Sequence, residues 1–316
     1  MGFPNNKDKH KIMMKTKYKF TVDAFTACYL ADEAVIKFLN DITYKDDFYY
    51  EFKLHRIEGA GMIHDNVIHV LVQNPNSMDY MLFGKLCYSE KRKDEHENTY
   101  IWFYVNNEVF YTPFYKDYNI LTFLKFTTEE LCLVDNNITT LDIAFDSNVN
   151  LAKRIKKAIY NKNLIPIVNR KAYDNEREQI KGVRFDYGCN QLRLLDVALY
   201  IKQATKDGGF ELKGYDKTNE LESSHKEYIK DWLQMKKAYR LEIHLKKEHL
   251  QEFYESNPRL QRIFGKEIPK LLPSMILPSL SDSNDDLLAE LFLEYANRLI
   301  RFKDKTTGKI LSIFEV

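Results

Sequence analysis

Two stretches of this chain share a construction that could carry chemistry: Thr140-Leu141-Asp142-Ile143-Ala144-Phe145-Asp146 and Tyr239-Arg240-Leu241-Glu242-Ile243-His244-Leu245. Read with the period of two of a β-strand, each turns an apolar set to one side and a polar set to the other. The polar sets are Asp142 and Asp146 in the first and Arg240, Glu242 and His244 in the second. Two such strands in one sheet would line a face with carboxylates and an imidazole. Four residues along a strand cover roughly 13 Å, so Asp142 and Asp146 would not share one ion. Glu242 and His244 stand only about 6.6 Å apart along the strand, and their side chains can converge. One aspartate with Glu242, with or without His244, makes a site for Mg²⁺ or Mn²⁺; the other reading is a solvated polar face on a half-buried sheet.

A third stretch, Phe210-Glu211-Leu212-Lys213-Gly214-Tyr215-Asp216-Lys217, puts Lys213, Tyr215 and Lys217 on one strand face. A phenol flanked by two ammonium groups ionises more easily and can hold a phosphate beside its oxygen. The competing reading is packing, since Tyr215 is one of 21 tyrosines and aromatics are common on strands.

The elements that must position these residues follow from the pattern. A first strand is expected over Tyr18 to Thr26 and a helix over Ala31 to Leu39. Strands then dominate to Thr112, with Ser89 to Asn98 as a charged loop. A helix is expected within Phe114 to Val134, another over Leu151 to Tyr160 capped by Asn148 or Asn150, and a third over Ser223 to Lys237. Beyond Lys247 the chain turns mainly helical, with a long amphipathic helix over Asp285 to Phe302 and a tight turn at Lys305-Thr306-Thr307-Gly308. This describes an α+β protein: a basic arm at 1–17, a core at 18–246 built on an antiparallel sheet with flanking helices, and a mostly helical region at 247–316.

With 316 residues and 44% hydrophobic content the chain can bury one large core or two smaller ones. Charged residues make up 29% but nearly cancel, to a formal +1, so local basic patches matter more than net charge. One patch is the N-terminal arm; another runs from Lys153 to Arg184, where basic and aromatic residues interleave as a nucleic-acid backbone would favour, the other reading being a solvated charged face. The four cysteines, Cys28, Cys87, Cys132 and Cys189, lie far apart and read as reduced thiols. No apolar run is long enough to span a membrane and the N-terminus is charged, so a cytoplasmic protein is expected.

The three motifs in order, Thr140 to Asp146, then Tyr215-Asp216-Lys217-Thr218-Asn219-Glu220, then Tyr239 to Glu248, resemble those of the rolling-circle replication initiators of small staphylococcal plasmids and the replication initiation factors of related conjugative elements. Phe20 to Thr26 is similar to that family's first strand. The resemblance implies an HUH-endonuclease-like, duplicated sheet and a metal-dependent enzyme that nicks and rejoins plasmid or mobile-element origin DNA. Tyr215 takes the position of the family's nucleophile, with Lys213, Lys217 and His244 as further catalytic groups and Asp142, Glu242 and Asp146 as the acidic ligand set for Mg²⁺ or Mn²⁺. Lys213, Lys217, Arg240 and Arg184 are the expected DNA contacts. Two departures stand out: Thr140 replaces a usual arginine, and His244 a usual second glutamate. A homodimer and a host helicase as partner are implied too, with origin recognition in the C-terminal region. The rivals are a mobilisation relaxase and a non-catalytic DNA-binding protein of the same fold. Relaxases usually pair two histidines where this chain has Glu242-Ile243-His244, which favours the initiator.

Overall fold

The computed structural model describes residues 17–42, 47–49, 52–57, 64–73, 79–111, 120–174, 191–194, 198–203, 209–224, 226–265, 272–273 and 285–316. In chain order these form β1 (Tyr18–Ala31), α1 (Glu33–Asp41), β2 (Asp47–Tyr49), β3 (Phe52–Arg56), β4 (Asn66–Gln73), β5 (Tyr80–Lys93), β6 (Thr99–Val105), a 3₁₀ turn (Asn107–Phe110), α2 (Ile120–Glu130) and β7 (Val134–Ser147). Then come α3 (Leu151–Tyr160), β8 (Leu164–Val168), β9 (Lys171–Ala172), β10 (Gln191–Leu194), β11 (Leu199–Gln203), β12 (Phe210–Asp216), α4 (Lys217–Ser224), α5 (Glu227–Leu233) and β13 (Tyr239–Lys246). The chain ends with α6 (Lys247–Ser256), α7 (Pro258–Phe264), α8 (Asp285–Leu299), β14 (Ile300–Asp304) and β15 (Ile310–Leu311). The protein is α+β, with antiparallel pairing throughout the registered strand pairs.

The chain divides into two compact units drawn from interleaved segments. One comprises Met1–Thr21, Asp142–Leu245 and Asp285–Val316; the other comprises Val22–Leu141 and Lys246–Asn284. Both β1 and β7 have residues in each. The residues read as a separate region, 247–316, are divided between the units, and the basic arm lies outside the described residues except for Lys17.

In the first unit the strand order is β10-β11-β12-β13-β7. Its apolar face carries Leu199, Ile201, Leu212, Leu241, Ile243, Leu245, Ile143 and Phe145, all buried. Helices α3 and α8 cover it. Phe145 gathers Phe20, Phe292 and Phe314 with ring centroids 4.9–6.1 Å away, and Tyr295 of α8 meets Phe210 edge-on at 5.1 Å. Gly214 lets α3 come close: a Cβ there would stand 2.8 Å from Leu241 Cδ2 and 3.0 Å from Ala152 Cβ. Asn150 caps α3 by accepting from the Lys153 amide at 2.8 Å. The helix buries Leu151, Ala152, Ile155, Ala158 and Ile159 and leaves Lys153 and Lys157 in solvent.

In the second unit β6, β5, β4, β3 and β2 follow β1 in that order. Phe83, Phe103, Ile101, Ile68, Val70, Phe52 and Leu54 are buried, and α2 packs on them through Phe123, 4.7 Å from Phe83, and Phe126, 6.2 Å from Phe52.

Several expected boundaries move. The first strand runs on to Ala31, and Asp32 caps α1 by accepting from the Val35 amide. The strand β5 continues to Lys93, so the charged loop shrinks to a turn in which Asp94 accepts from the His96 and Asn98 amides. The single helix expected over Ser223 to Lys237 is two: α4 begins directly after β12, its Lys217 and Thr218 amides bonded to the Ala238 carbonyl, and α5 ends where Gln234 turns to positive φ. The long C-terminal helix yields to β14 at Ile300, because Ile300 to Asp304 pairs with β8. Among the described residues no helix is long and apolar enough to cross a membrane, and Cys28, Cys87 and Cys132 are not in disulfide bonds.

Candidate active site

The polar face of the first unit is set by register. In the antiparallel pair β12–β13, Glu211 faces His244, Lys213 faces Glu242 and Tyr215 faces Arg240; in β11–β12, Tyr200 faces Lys213. Directly opposed residues share a side of the sheet, and diagonal neighbours remain within reach of long side chains. Tyr215, half-buried, uses the diagonal: its hydroxyl donates to Glu242 Oε2 at 3.0 Å. Tyr200 does likewise on the neighbouring strand, its hydroxyl donating to Glu211 Oε2 at 2.5 Å. Between these two phenol–carboxylate pairs stands the Lys213 ammonium, 2.8 Å from Glu211 Oε1 and 3.8 Å from Glu242 Oε1.

The charges respond to one another. Burial alone would raise the Glu211 carboxyl, but hydrogen bonds from Lys213 and Tyr200 and the charges of Lys213 and His244 outweigh it and hold Glu211 below the ordinary glutamate range. Burial would lower Lys213, yet its bond to Glu211 and the negative charges of Glu242, Glu211 and Asp142 keep the ammonium above its usual value. At neutral pH the centre of this face is therefore an ammonium held among carboxylates.

On the next strand His244 Nδ1 lies 2.5 Å from Asp142 Oδ1, both side chains partly open to solvent. Asp142, Glu242 and His244 are donors of the kind that Mg²⁺ or Mn²⁺ takes. Among the described residues, however, no three His, Cys, Asp or Glu side chains gather closely enough to hold one ion. Asp142 is engaged with His244, and Glu242 with Tyr215 and Lys213.

Other expected site residues stand elsewhere. Asp146 and Arg240 form a two-pronged ion pair, Nε to Oδ1 at 2.8 Å and Nη2 to Oδ2 at 2.7 Å, with both side chains fully buried. Asp146, expected at a metal, and Arg240, expected at DNA, are thus engaged with each other in the interior. Lys217 is almost fully buried, 2.5 Å from Glu220 Oε2, with its ammonium 5.8 Å from the centre of the Tyr215 ring. It reaches the ring of the tyrosine from within the fold and offers no surface charge to a phosphate. Arg184 lies outside the described residues. Glu211 and Tyr200 were not anticipated. Glu211 carried a signal, standing two positions before Lys213 on the same strand face; Tyr200 required the β11–β12 register, which no sequence spacing displays.

Chemically, the phenol of Tyr215 has a carboxylate placed to take its proton and an ammonium nearby to stabilise anionic oxygen. No protein-family model matches this chain, and no match is found among curated proteins.

Proposed function

We propose that this chain is a rolling-circle replication initiator that nicks and rejoins origin DNA through a 5′-phosphotyrosine link at Tyr215. The observation that carries the reading is the Tyr215 hydroxyl donating to Glu242 at 3.0 Å on the polar face that also holds Lys213, Asp142 and His244. Glu242 accepts the phenolic proton as Tyr215 Oη attacks phosphorus; the bond from phosphorus to the 3′-oxygen breaks, and that oxygen takes a proton from water. The products are a 5′-phosphotyrosine and a free 3′-hydroxyl that primes synthesis. The bond energy stays in the enzyme link, so a returning 3′-hydroxyl reverses the step without a nucleotide cofactor. Lys213 stabilises the charge that develops on the phosphate oxygens. Asp142, Glu242 and His244 are the residues that would have to draw together to hold a Mg²⁺ or Mn²⁺ ion, which would supply further positive charge to the reaction.

An HUH-endonuclease-like, duplicated sheet belongs to the same proposal. Its support is that each unit has strands with one buried face under helices and one face with polar side chains. So do a homodimer, a host helicase partner and origin reading by the C-terminal segments, where Arg301 and Lys303 are exposed on β14.

The test is a supercoiled plasmid bearing the cognate origin, with Mg²⁺ or Mn²⁺. The protein should relax it and leave a DNA adduct that mass spectrometry assigns to Tyr215. Tyr215→Phe should lose relaxation and adduct while still binding DNA. Relaxation persisting in Tyr215→Phe would overturn the reading, and binding with no relaxation by the native chain would leave the non-catalytic alternative.

A further inference from the structure

The second unit has a sheet face, exposed at Tyr104 and Lys85 and buried around Cys28 and Cys87, that the proposed nicking chemistry does not use. Its register aligns Tyr104 with Lys85 and Lys85 with His69, while Trp102 lies opposite Cys87 and Tyr100 follows two residues along β6. These residues share one side of the sheet; Phe103, Ile101 and Leu86 point to the buried side under α2. Tyr104 is 39% exposed and Lys85 is exposed, with Trp102 and Tyr100 half-buried. A large aromatic left in solvent on a strand surrenders the burial that would stabilise it. Three at alternate positions make a platform.

The aromatic row is built. Ring centroids of Tyr100 and Trp102 are 6.0 Å apart, and His64 stands 5.1 Å from Trp102 and reaches the Tyr104 hydroxyl at 3.3 Å. The Arg92 guanidinium lies 5.7 Å from the Trp102 ring. Burial, then the Arg92 charge, lowers His64; burial, then Lys85 and His55, lowers His69, so both imidazoles are neutral at pH 7 and add polar, stackable rings. A pocket of about 240 Å³ opens between Lys85, Tyr104, Asn106 and Asn107. Gly84 is required beside it, since a Cβ would press 2.5 Å from the Phe103 ring.

The charge selects the occupant. Among the described residues of β3 to β6 the sole acid is Glu90, which Asn40 holds at 2.9 Å, and Asp65 at the rim accepts from Ser89. Lys85, Lys91 and Arg92 remain as exposed cations on β5. Aromatic faces spaced about 6.6 Å along a strand, flanked by cations, suit unstacked bases on a phosphate backbone. We infer that this face binds single-stranded DNA, bases stacking on Tyr104, Trp102 and Tyr100 and phosphates meeting Lys85 and Arg92. The inference is independent of Tyr215 and would hold if that tyrosine were inert.

The chain has two tryptophans, Trp102 and Trp232, so Trp232→Phe leaves Trp102 as the sole reporter. Adding an oligothymidylate should quench its fluorescence, in full-length protein that carries Tyr215→Phe as readily as in the native chain. Tyr104→Ala should weaken binding by about 5- to 150-fold, the range for loss of one stacked base. Lys85→Gln should lower the slope of log K against log salt by about 0.7. Absence of quenching overturns the inference. So does native affinity in Tyr104→Ala and Lys85→Gln, each checked for folding by circular dichroism, or equal affinity for duplex and single strand.

Discussion

A hydroxyl that donates to a carboxylate has both a proton to give and a place to put it, and at Tyr215 that place is Glu242. If Glu242 acts as the base, Glu242→Gln should cut nicking by about 10²- to 10⁴-fold while leaving the fold intact. A plasmid-relaxation time course measures it, and an unchanged rate would transfer the role to another group. His244 is separable, because it contacts Asp142 rather than Tyr215. His244→Ala should raise the concentration of Mn²⁺ needed for half-maximal nicking; unchanged metal dependence would remove it from any ion site. Glu211 gives a test through stability. Its folded pKa lies below the ordinary value of 4.5, so its ionised form contributes stability above that value, and the contribution is lost as pH falls through the lower, folded pKa. The stability gap between native protein and Glu211→Gln, from urea titrations, should be flat at neutral pH and close in that acid window. The side chains that meet at this site were legible as types, since carboxylates, lysine and tyrosine at alternate positions announce a polar strand face. Their partners were not. Spacing along one strand cannot say that Tyr215 reaches the diagonal Glu242, or that Asp146 is consumed by Arg240, because both facts depend on which strand lies alongside.

At the level of elements, the Asp146–Arg240 pair ties β7 to β13 and so fixes the strand that carries Glu242 and His244. With both side chains fully buried, removing one partner leaves an uncompensated charge, and Arg240→Met should destabilise by about 3–5 kcal/mol. The double variant Arg240→Met/Asp146→Leu should recover most of that loss in urea denaturation; failure to recover would mean that packing, and not the stranded carboxylate, sets the cost. Gly214 works by absence: with α3 resting on it, Gly214→Ala should cost about 1–3 kcal/mol through overpacking against Leu241 and Ala152. Most elements could be read from periodicity, and α3 spans the expected Leu151 to Tyr160, with Asn150, one of the two expected caps, at its start. The misplaced boundaries share a cause. A charged run reads as loop until a neighbour pairs with it, as β6 does at Lys93, and a helical stripe reads on until a strand such as β8 claims its last residues.

On the scale of the whole chain, interleaving decides how the protein should unfold. Neither unit is a continuous segment: β1 contributes residues 18–21 to one and 22–31 to the other, and β7 divides at residue 142. A strand shared in this way cannot leave one unit's ladder without loosening its own continuation, so loss of either core should draw the other with it. The tryptophans are placed to report this, Trp102 in one unit and Trp232 in the other. In urea, Trp102→Phe and Trp232→Phe should show the same midpoint and slope, each following the unit whose tryptophan remains. Adding Arg240→Met to both should shift the two midpoints together, although the buried pair lies in the Trp232 unit alone. Midpoints that separate, with only the Trp232 signal responding, would show that the shared strands do not couple the units and that each folds on its own account.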